Sequence, residues 1–109
     1  MGTAKYLDCC KEPSLETVKS FLSAECDMAA IRRCRTCGCH WYYRLREHAF
    51  SNADTYDRSI WYVRLTPEET DTLIQAAAAP EPSLFADRPG FLMDADGMNS
   101  IQGVPEFLR

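Results

Sequence analysis

The feature that constrains this chain most is a turn that carries two cysteines, Cys34-Arg35-Thr36-Cys37-Gly38, with an aromatic segment directly after it. Two cysteines separated by two residues can direct both sulfurs at one tetrahedral ion. Gly38 allows the backbone to turn tightly and to aim its amides at those sulfurs. The sequence therefore predicts a metal-binding turn, and the other elements have to be arranged around it.

A structural zinc ion needs four ligands, so the pair in this turn has to be completed from elsewhere in the chain. The simplest completion uses the adjacent cysteines Cys9 and Cys10, which precede the first predicted helix. The main alternative takes one cysteine of that pair and His40 as the fourth ligand, and Cys39, which we expect to face the core, is another replacement. We predict a structural zinc site whose ligands are Cys9, Cys10, Cys34 and Cys37.

Two other interpretations of the cysteines remain open. They could be reduced residues that only pack, or the turn could be a redox pair. Redox pairs of the thioredoxin kind lie where a strand meets a helix. Here the turn leads into an aromatic strand instead, which favours metal binding. Cys26, which follows the first predicted helix, is interpreted as a small buried residue.

Length and cysteine content also bear on the compartment. A chain of 109 residues forms one domain with a small core, to which a metal ion would add stability. Six cysteines in a secreted chain would indicate three disulfides. The first residues lack the apolar run of a signal peptide, and no apolar run approaches the roughly 20 residues of a membrane span. We therefore expect a cytoplasmic protein with reduced thiols.

The periodicity of apolar residues predicts two helices and three strands. A first helix is expected over about 14–25, because Leu15, Val18, Phe21 and Leu22 recur at helical spacing. Strands are expected over 28–34, 39–47 and 58–65, the first two joined by the cysteine turn. A second helix should begin at Thr66-Pro67, with Glu69 at the capping-box position, and end before Pro80. After it, short apolar clusters alternate with proline and glycine.

The cysteine turn followed by an aromatic strand resembles the knuckle of a zinc ribbon. The resemblance covers about residues 28–65, although zinc ribbons usually supply a second Cys-x-x-Cys where this chain has Cys9-Cys10. We expect an α+β fold: a small antiparallel β-sheet with a zinc-ribbon-like hairpin, two flanking helices and an irregular C-terminal segment. The zinc-stabilised domain would span 1–83, and residues 84–109 would pack on it.

Charge narrows the function classes. The net charge of −4 disfavours a nonspecific nucleic-acid binder, which usually has a basic excess. A site of four thiolates is closed, and the chain has only two histidines, no phosphate-binding glycine loop and no nucleophile elbow, so we do not expect an enzyme. The small size and acidic charge loosely resemble those of bacterial immunity proteins.

We expect a non-catalytic protein-binding module, most concretely a cytoplasmic immunity or inhibitor protein whose acidic side chains dock on a basic toxin or enzyme. The first alternative is a nucleic-acid-associated zinc-ribbon protein, in which Arg35, Arg44 and Tyr42 contact bases or phosphates. The arginines near the turn could instead lie on a solvated sheet face, paired with Glu47, Asp54 and Asp57. The second alternative is a redox-active thiol protein. The sequence leaves the oligomeric state open.

Overall fold

A computed structural model describes Leu7 and residues 9–24, 27–49, 56–94 and 97–108. Within these residues six strands form one antiparallel sheet in which each strand pairs with the next in the chain. The strands are β1 Leu15–Ala24, β2 Asp27–Cys34, β3 His40–Ala49, β4 Tyr56–Leu65, β5 Pro89–Asp94 and β6 Gly97–Gln102. One α-helix, α1 Pro67–Ile74, and two short 3₁₀ turns, Pro82–Phe85 and Glu106–Leu108, complete the described elements.

The expected α+β fold with two flanking helices is therefore wrong, because the sheet dominates the described chain and the segment predicted as a first helix is β1. This strand pairs with β2 from Leu15 opposite Cys34 to Ala24 opposite Asp27. Its register shifts twice, between Thr17 and Lys19 and again beyond Ser20. Each shift inserts one extra residue into β1, so side chains on the same face of the strand are about three residues apart there and not two. That spacing imitates a helical pattern.

The hairpin predicted around the cysteine turn is confirmed. Strands β2 and β3 pair from Asp27 opposite Arg46 to Arg33 opposite His40, and the turn lies at the tip. The predicted alternation in β3 also holds, since Tyr42 contacts one apolar cluster and Trp41 and Tyr43 contact the other.

Large apolar residues cover both faces of the sheet. On the helix face, the side chains of β2, β3 and β4 pack with Leu73 of α1 and with Phe85 of the first 3₁₀ turn. On the N-terminal face, they pack with Leu7 and are flanked by Cys9 and Cys39. The helix-face residues of the strands are Ile31, Tyr42, Trp61, Val63 and Leu65, and the N-terminal-face residues are Ala30, Trp41, Tyr43, Ile60 and Tyr62.

Residues beyond 84 are not an irregular segment, as the sequence suggested, because β5 and β6 extend the sheet from β4. Gly90 of β5 lies so close to β4 that an added Cβ would stand 2.7 Å from the carbonyl oxygen of Tyr62. Only glycine permits this approach of two backbones without a shift. The proposed division of the chain at residue 83 stays a prediction.

The second predicted helix is confirmed, although it is shorter than expected. The Thr66 hydroxyl accepts from the Glu69 amide at 3.1 Å, and the Glu69 carboxylate accepts from the Thr66 amide at 2.9 Å. This capping box and Pro67 define the start of α1. The helix ends at Ile74 with Gln75 as its cap, so the alanine run that follows is not helical.

Some predictions fall outside the described residues, namely those on Cys26, on Asp54 and on the side chain of Asp57. Among the described residues, no helix has the length and apolar character that a membrane span requires.

Candidate metal centre

The cysteines of the predicted site come from two parts of the chain that meet at one end of the sheet. Cys34 ends β2 and Cys37 lies in the turn, while Cys9 and Cys10 precede β1. Two hydrogen bonds join these parts. The Arg35 amide donates to the Ser14 carbonyl at 2.7 Å, and the Thr36 hydroxyl donates to the Glu12 carbonyl at 2.9 Å. The segment before β1 is thereby held against the turn.

The four sulfurs of Cys9, Cys10, Cys34 and Cys37 all lie within 4.8 Å of one another. The Sγ of Cys10 is 3.7 Å from that of Cys34 and 3.9 Å from that of Cys9. An ion bound tetrahedrally at about 2.3 Å from each thiolate separates its sulfurs by about 3.8 Å. The cluster could therefore hold a metal ion with little movement of these side chains.

Backbone hydrogen bonds shape the turn. The Cys34 amide donates to the Cys39 carbonyl at 2.8 Å, and the Gly38 amide donates to the Cys34 carbonyl at 2.7 Å. Gly38 has a φ of 87°, a conformation that side-chain-bearing residues rarely adopt. The predicted role of this glycine in closing the turn is confirmed.

The same turn favours the thiolate form of its two cysteines. Burial opposes ionisation of Cys34, but hydrogen bonds from the backbone of Cys37, Ser14 and Thr36 outweigh it and lower its pKa to about 6. The pKa of Cys37 is also lowered, chiefly by a hydrogen bond from the backbone of Cys39. Amides directed at sulfur stabilise negative charge there, as a thiolate ligand requires.

The other pair behaves in the opposite way. Desolvation raises the pKa of both Cys9 and Cys10 to about 12, and contacts with neighbouring cysteines add to the effect. Four thiolates this close repel one another, so they cannot all ionise without a compensating charge. A divalent cation at the centre would supply that charge and release the protons. The donor set thus fits a soft divalent ion.

The two alternative ligands lie beside this group and not within it. Cys39 is half-buried, and its Sγ is 3.4 Å from that of Cys37. His40 has a pKa lowered by burial and by Arg33, and it lines a cavity of about 300 Å³ together with Cys39 and Arg64. The group of four sulfurs therefore forms without His40, while Cys39, the other alternative ligand, adds a fifth sulfur beside the group.

The arginines predicted to gather near the turn are mostly paired. Arg44 and Arg46 contact the two carboxylate oxygens of Asp27 at 2.9 and 3.2 Å, a partner that sequence reasoning missed. Tyr42 is completely buried. Arg35, with 63% of its side chain exposed, lies at the distance limit of an ion pair with Glu16, 4.0 Å. The residues expected to contact nucleic acid therefore do not form one open surface.

Comparison of the chain with protein-family models, with curated proteins and with solved structures finds no match. The cysteine cluster is compatible with a metal-binding motif, and no family match assigns the chain to the zinc ribbons.

Proposed function

We propose that this chain is a non-catalytic protein-binding module stabilised by a structural zinc ion, of the immunity or inhibitor type. The observation that carries the proposal is the group of four cysteine sulfurs, which could fill every position of a tetrahedral zinc ion. A catalytic zinc keeps one position open for water or substrate. Four thiolates leave no such position, so the metal would act on the fold.

The position of the cluster explains why the fold would need the metal. It joins the segment before β1 to the tip of the β2–β3 hairpin. In the described structure, the hydrogen bonds from Arg35 and Thr36 connect the same two parts. A small sheet domain has a limited core, and a metal that binds only the folded chain adds its binding free energy to stability. Cys10 and Cys34, 3.7 Å apart, would then be bridged by the ion.

Charge supports a basic protein as the partner. Glu68 and Asp71 of α1 are exposed, as are Glu81 and Asp87 in the segment that follows. Glu69 does not add to this acidic surface, because it pairs with Arg88. Exposed acidic side chains can steer a basic protein toward its docking site.

Zinc binding is tested by native mass spectrometry and zinc-competition titration on the wild type and on Cys10→Ala, Cys34→Ala and Cys39→Ala. We expect one zinc ion per wild-type chain, its loss in the first two variants, and its retention in Cys39→Ala, the matched control. Chelation of zinc from the wild type should lower the midpoint of thermal unfolding. A wild type purified under reducing conditions that binds no zinc would refute the metal-based part of the proposal.

Partner binding is tested by affinity purification from the cells of origin, with the wild type and a Glu68→Lys/Asp71→Lys variant. We expect the wild type to capture a basic protein at low salt. The Glu68→Lys/Asp71→Lys variant should not capture it, and high salt should release it from the wild type. The Glu12→Lys/Glu106→Lys variant changes net charge equally at exposed positions outside α1 and should retain it. Equal recovery with both variants would exclude the acidic surface of α1 as the docking site. Recovery of nucleic acid in place of protein would favour the zinc-ribbon alternative.

A further inference from the structure

The metal centre contains one more thiol than a tetrahedral ion needs. The fifth sulfur belongs to Cys39, whose Sγ lies 3.4 Å from that of Cys37. This distance is shorter than the 3.7 and 3.9 Å that separate the Cys10 sulfur from those of Cys34 and Cys9. Cys39 also affects the pKa of Cys9 through a side-chain contact, so it neighbours two members of the group. Its position is therefore that of a thiol beside the site and within reach of it.

The member of the group beside Cys39 is the one most open to solvent. Cys37 is exposed, while Cys34 is buried and Cys9 and Cys10 are half-buried. An exposed thiolate is the ligand that alkylating or oxidising reagents reach first. Cys37 is thus the ligand most exposed to modification, and a replacement ligand at its position would protect metal binding most.

Cys39 has the reach to take that position. Rotation about χ1 from one staggered rotamer to another moves a cysteine sulfur by about 3 Å, close to the separation of the two sulfurs. Cys39 and Gly38 line the cavity of about 300 Å³ at this end of the sheet, so the side chain is not enclosed on all sides. A change of one side-chain rotamer therefore carries the Cys39 sulfur most of the way to the position of the Cys37 sulfur.

We propose that Cys39 is an exchangeable fifth ligand that replaces Cys37 on the metal when the Cys37 thiolate is lost. The proposal rests on the zinc site proposed above and adds a regulatory property to it. The ion stays bound, and the segment before β1 stays attached, after modification of the most exposed ligand. The Cys39 thiol, whose pKa is raised by burial, releases its proton to solvent as it binds, so one thiolate replaces another and the charge of the site is unchanged.

The test compares Cys37→Ala, Cys39→Ala, the double variant Cys37→Ala/Cys39→Ala, and Cys10→Ala. Zinc affinity is measured by competition with a chromophoric chelator, and the thiolate count by the charge-transfer absorption of Co²⁺-substituted protein. We expect Cys37→Ala to bind one ion with four thiolates and an affinity about tenfold below wild type, as for a side chain moved to a less favourable rotamer. The double variant should lose the fourth thiolate and most of the affinity.

Two outcomes would overturn the proposal while leaving the zinc site intact. The first is a wild type that binds zinc together with a Cys37→Ala variant that loses it as completely as Cys10→Ala does. The second is a double variant that matches Cys37→Ala in affinity and spectrum, since water or another group would then fill the position. A wild type that binds no zinc would instead remove the site itself, and the proposed function would fail with it.

A measurement on the wild type covers the case in which Cys37→Ala does not fold. Zinc-loaded protein is treated with substoichiometric N-ethylmaleimide, and the singly modified, zinc-bound species is sequenced by tandem mass spectrometry. Exchange predicts adducts on Cys37 as well as on Cys39 in this species. Adducts on Cys39 alone, with zinc lost from every chain modified at Cys37, would show that Cys37 cannot be replaced.

Discussion

Phe85 provides the sharpest test of how the chain beyond α1 covers the sheet. Its side chain is completely buried, and its ring centroid lies 5.1 Å from that of Tyr42 and 6.1 Å from that of Trp61. The neighbouring Leu84, in the same 3₁₀ turn, has 54% of its surface exposed. The two adjacent residues therefore give a variant and its matched control.

Replacement of Phe85 by alanine removes the ring from this cluster and leaves a cavity against the sheet. Truncation of a buried phenylalanine typically costs about 3–5 kcal/mol, which includes the lost contacts with neighbouring rings. A domain of this kind has a total unfolding free energy of about 5–15 kcal/mol, so the substitution should remove a substantial part of it. The midpoint of thermal unfolding should fall by more than about 10 °C. Leu84→Ala should cost less than about 1 kcal/mol, because its side chain is already half in water.

The assay is urea unfolding followed by far-ultraviolet circular dichroism, with all proteins at the same free zinc concentration so that the metal contributes equally. Tryptophan fluorescence is a poor probe here because the substitution changes the surroundings of Trp61. A loss below about 1 kcal/mol for Phe85→Ala, or a loss equal to that of Leu84→Ala, would refute the argument that this turn completes the core on the helix face.

Two further predictions concern β5 and α1. Gly90→Ala places a Cβ against the Tyr62 carbonyl and should lower the unfolding free energy by about 1–3 kcal/mol in urea unfolding. The control Ser100→Ala, at an exposed position of β6, should change it by less than about 0.5 kcal/mol. Equal effects of the two substitutions would contradict the close approach of β5 to β4. Hydrogen bonds from Arg88 lower the pKa of Glu69 from 4.5 to about 2, so this carboxylate stabilises the fold above pH 4.5 and that stabilisation is lost as pH falls toward 2. The difference in unfolding free energy between wild type and Glu69→Gln should therefore shrink over this range, and a difference that does not vary with pH would refute the ion pair.

The elements that were predicted correctly depend on interactions between near neighbours. The capping box at Thr66 and Glu69 involves residues three apart, and the turn from Cys34 to Gly38 closes through hydrogen bonds inside the turn and to the next residue. The alternation of β3 is also local, because successive side chains of any strand point to opposite faces.

Strand β1 shows where local patterns are insufficient. The spacing of Leu15, Val18 and Phe21 suits a helix and also suits a strand with two register shifts. Pairing with β2 decides between them, and it depends on a neighbour that periodicity within the segment does not reveal. Likewise, the residues after 88 resemble an irregular tail when they are considered alone, but in the structure they pair with β4. Gly90, which in the sequence suggested an irregular segment, instead allows β5 to lie close to β4.

By itself, the sequence determined the candidate ligands, the tight turn and the start of α1, because cysteine is a preferred zinc ligand and because caps and turns involve few residues. Only the tertiary structure decided that Cys9 and Cys10 reach the turn, that Cys39 lies beside Cys37, and that Tyr42 is buried. These facts depend on which segments meet in space. Contacts between distant segments result from strand pairing and burial, and a local sequence pattern does not encode them.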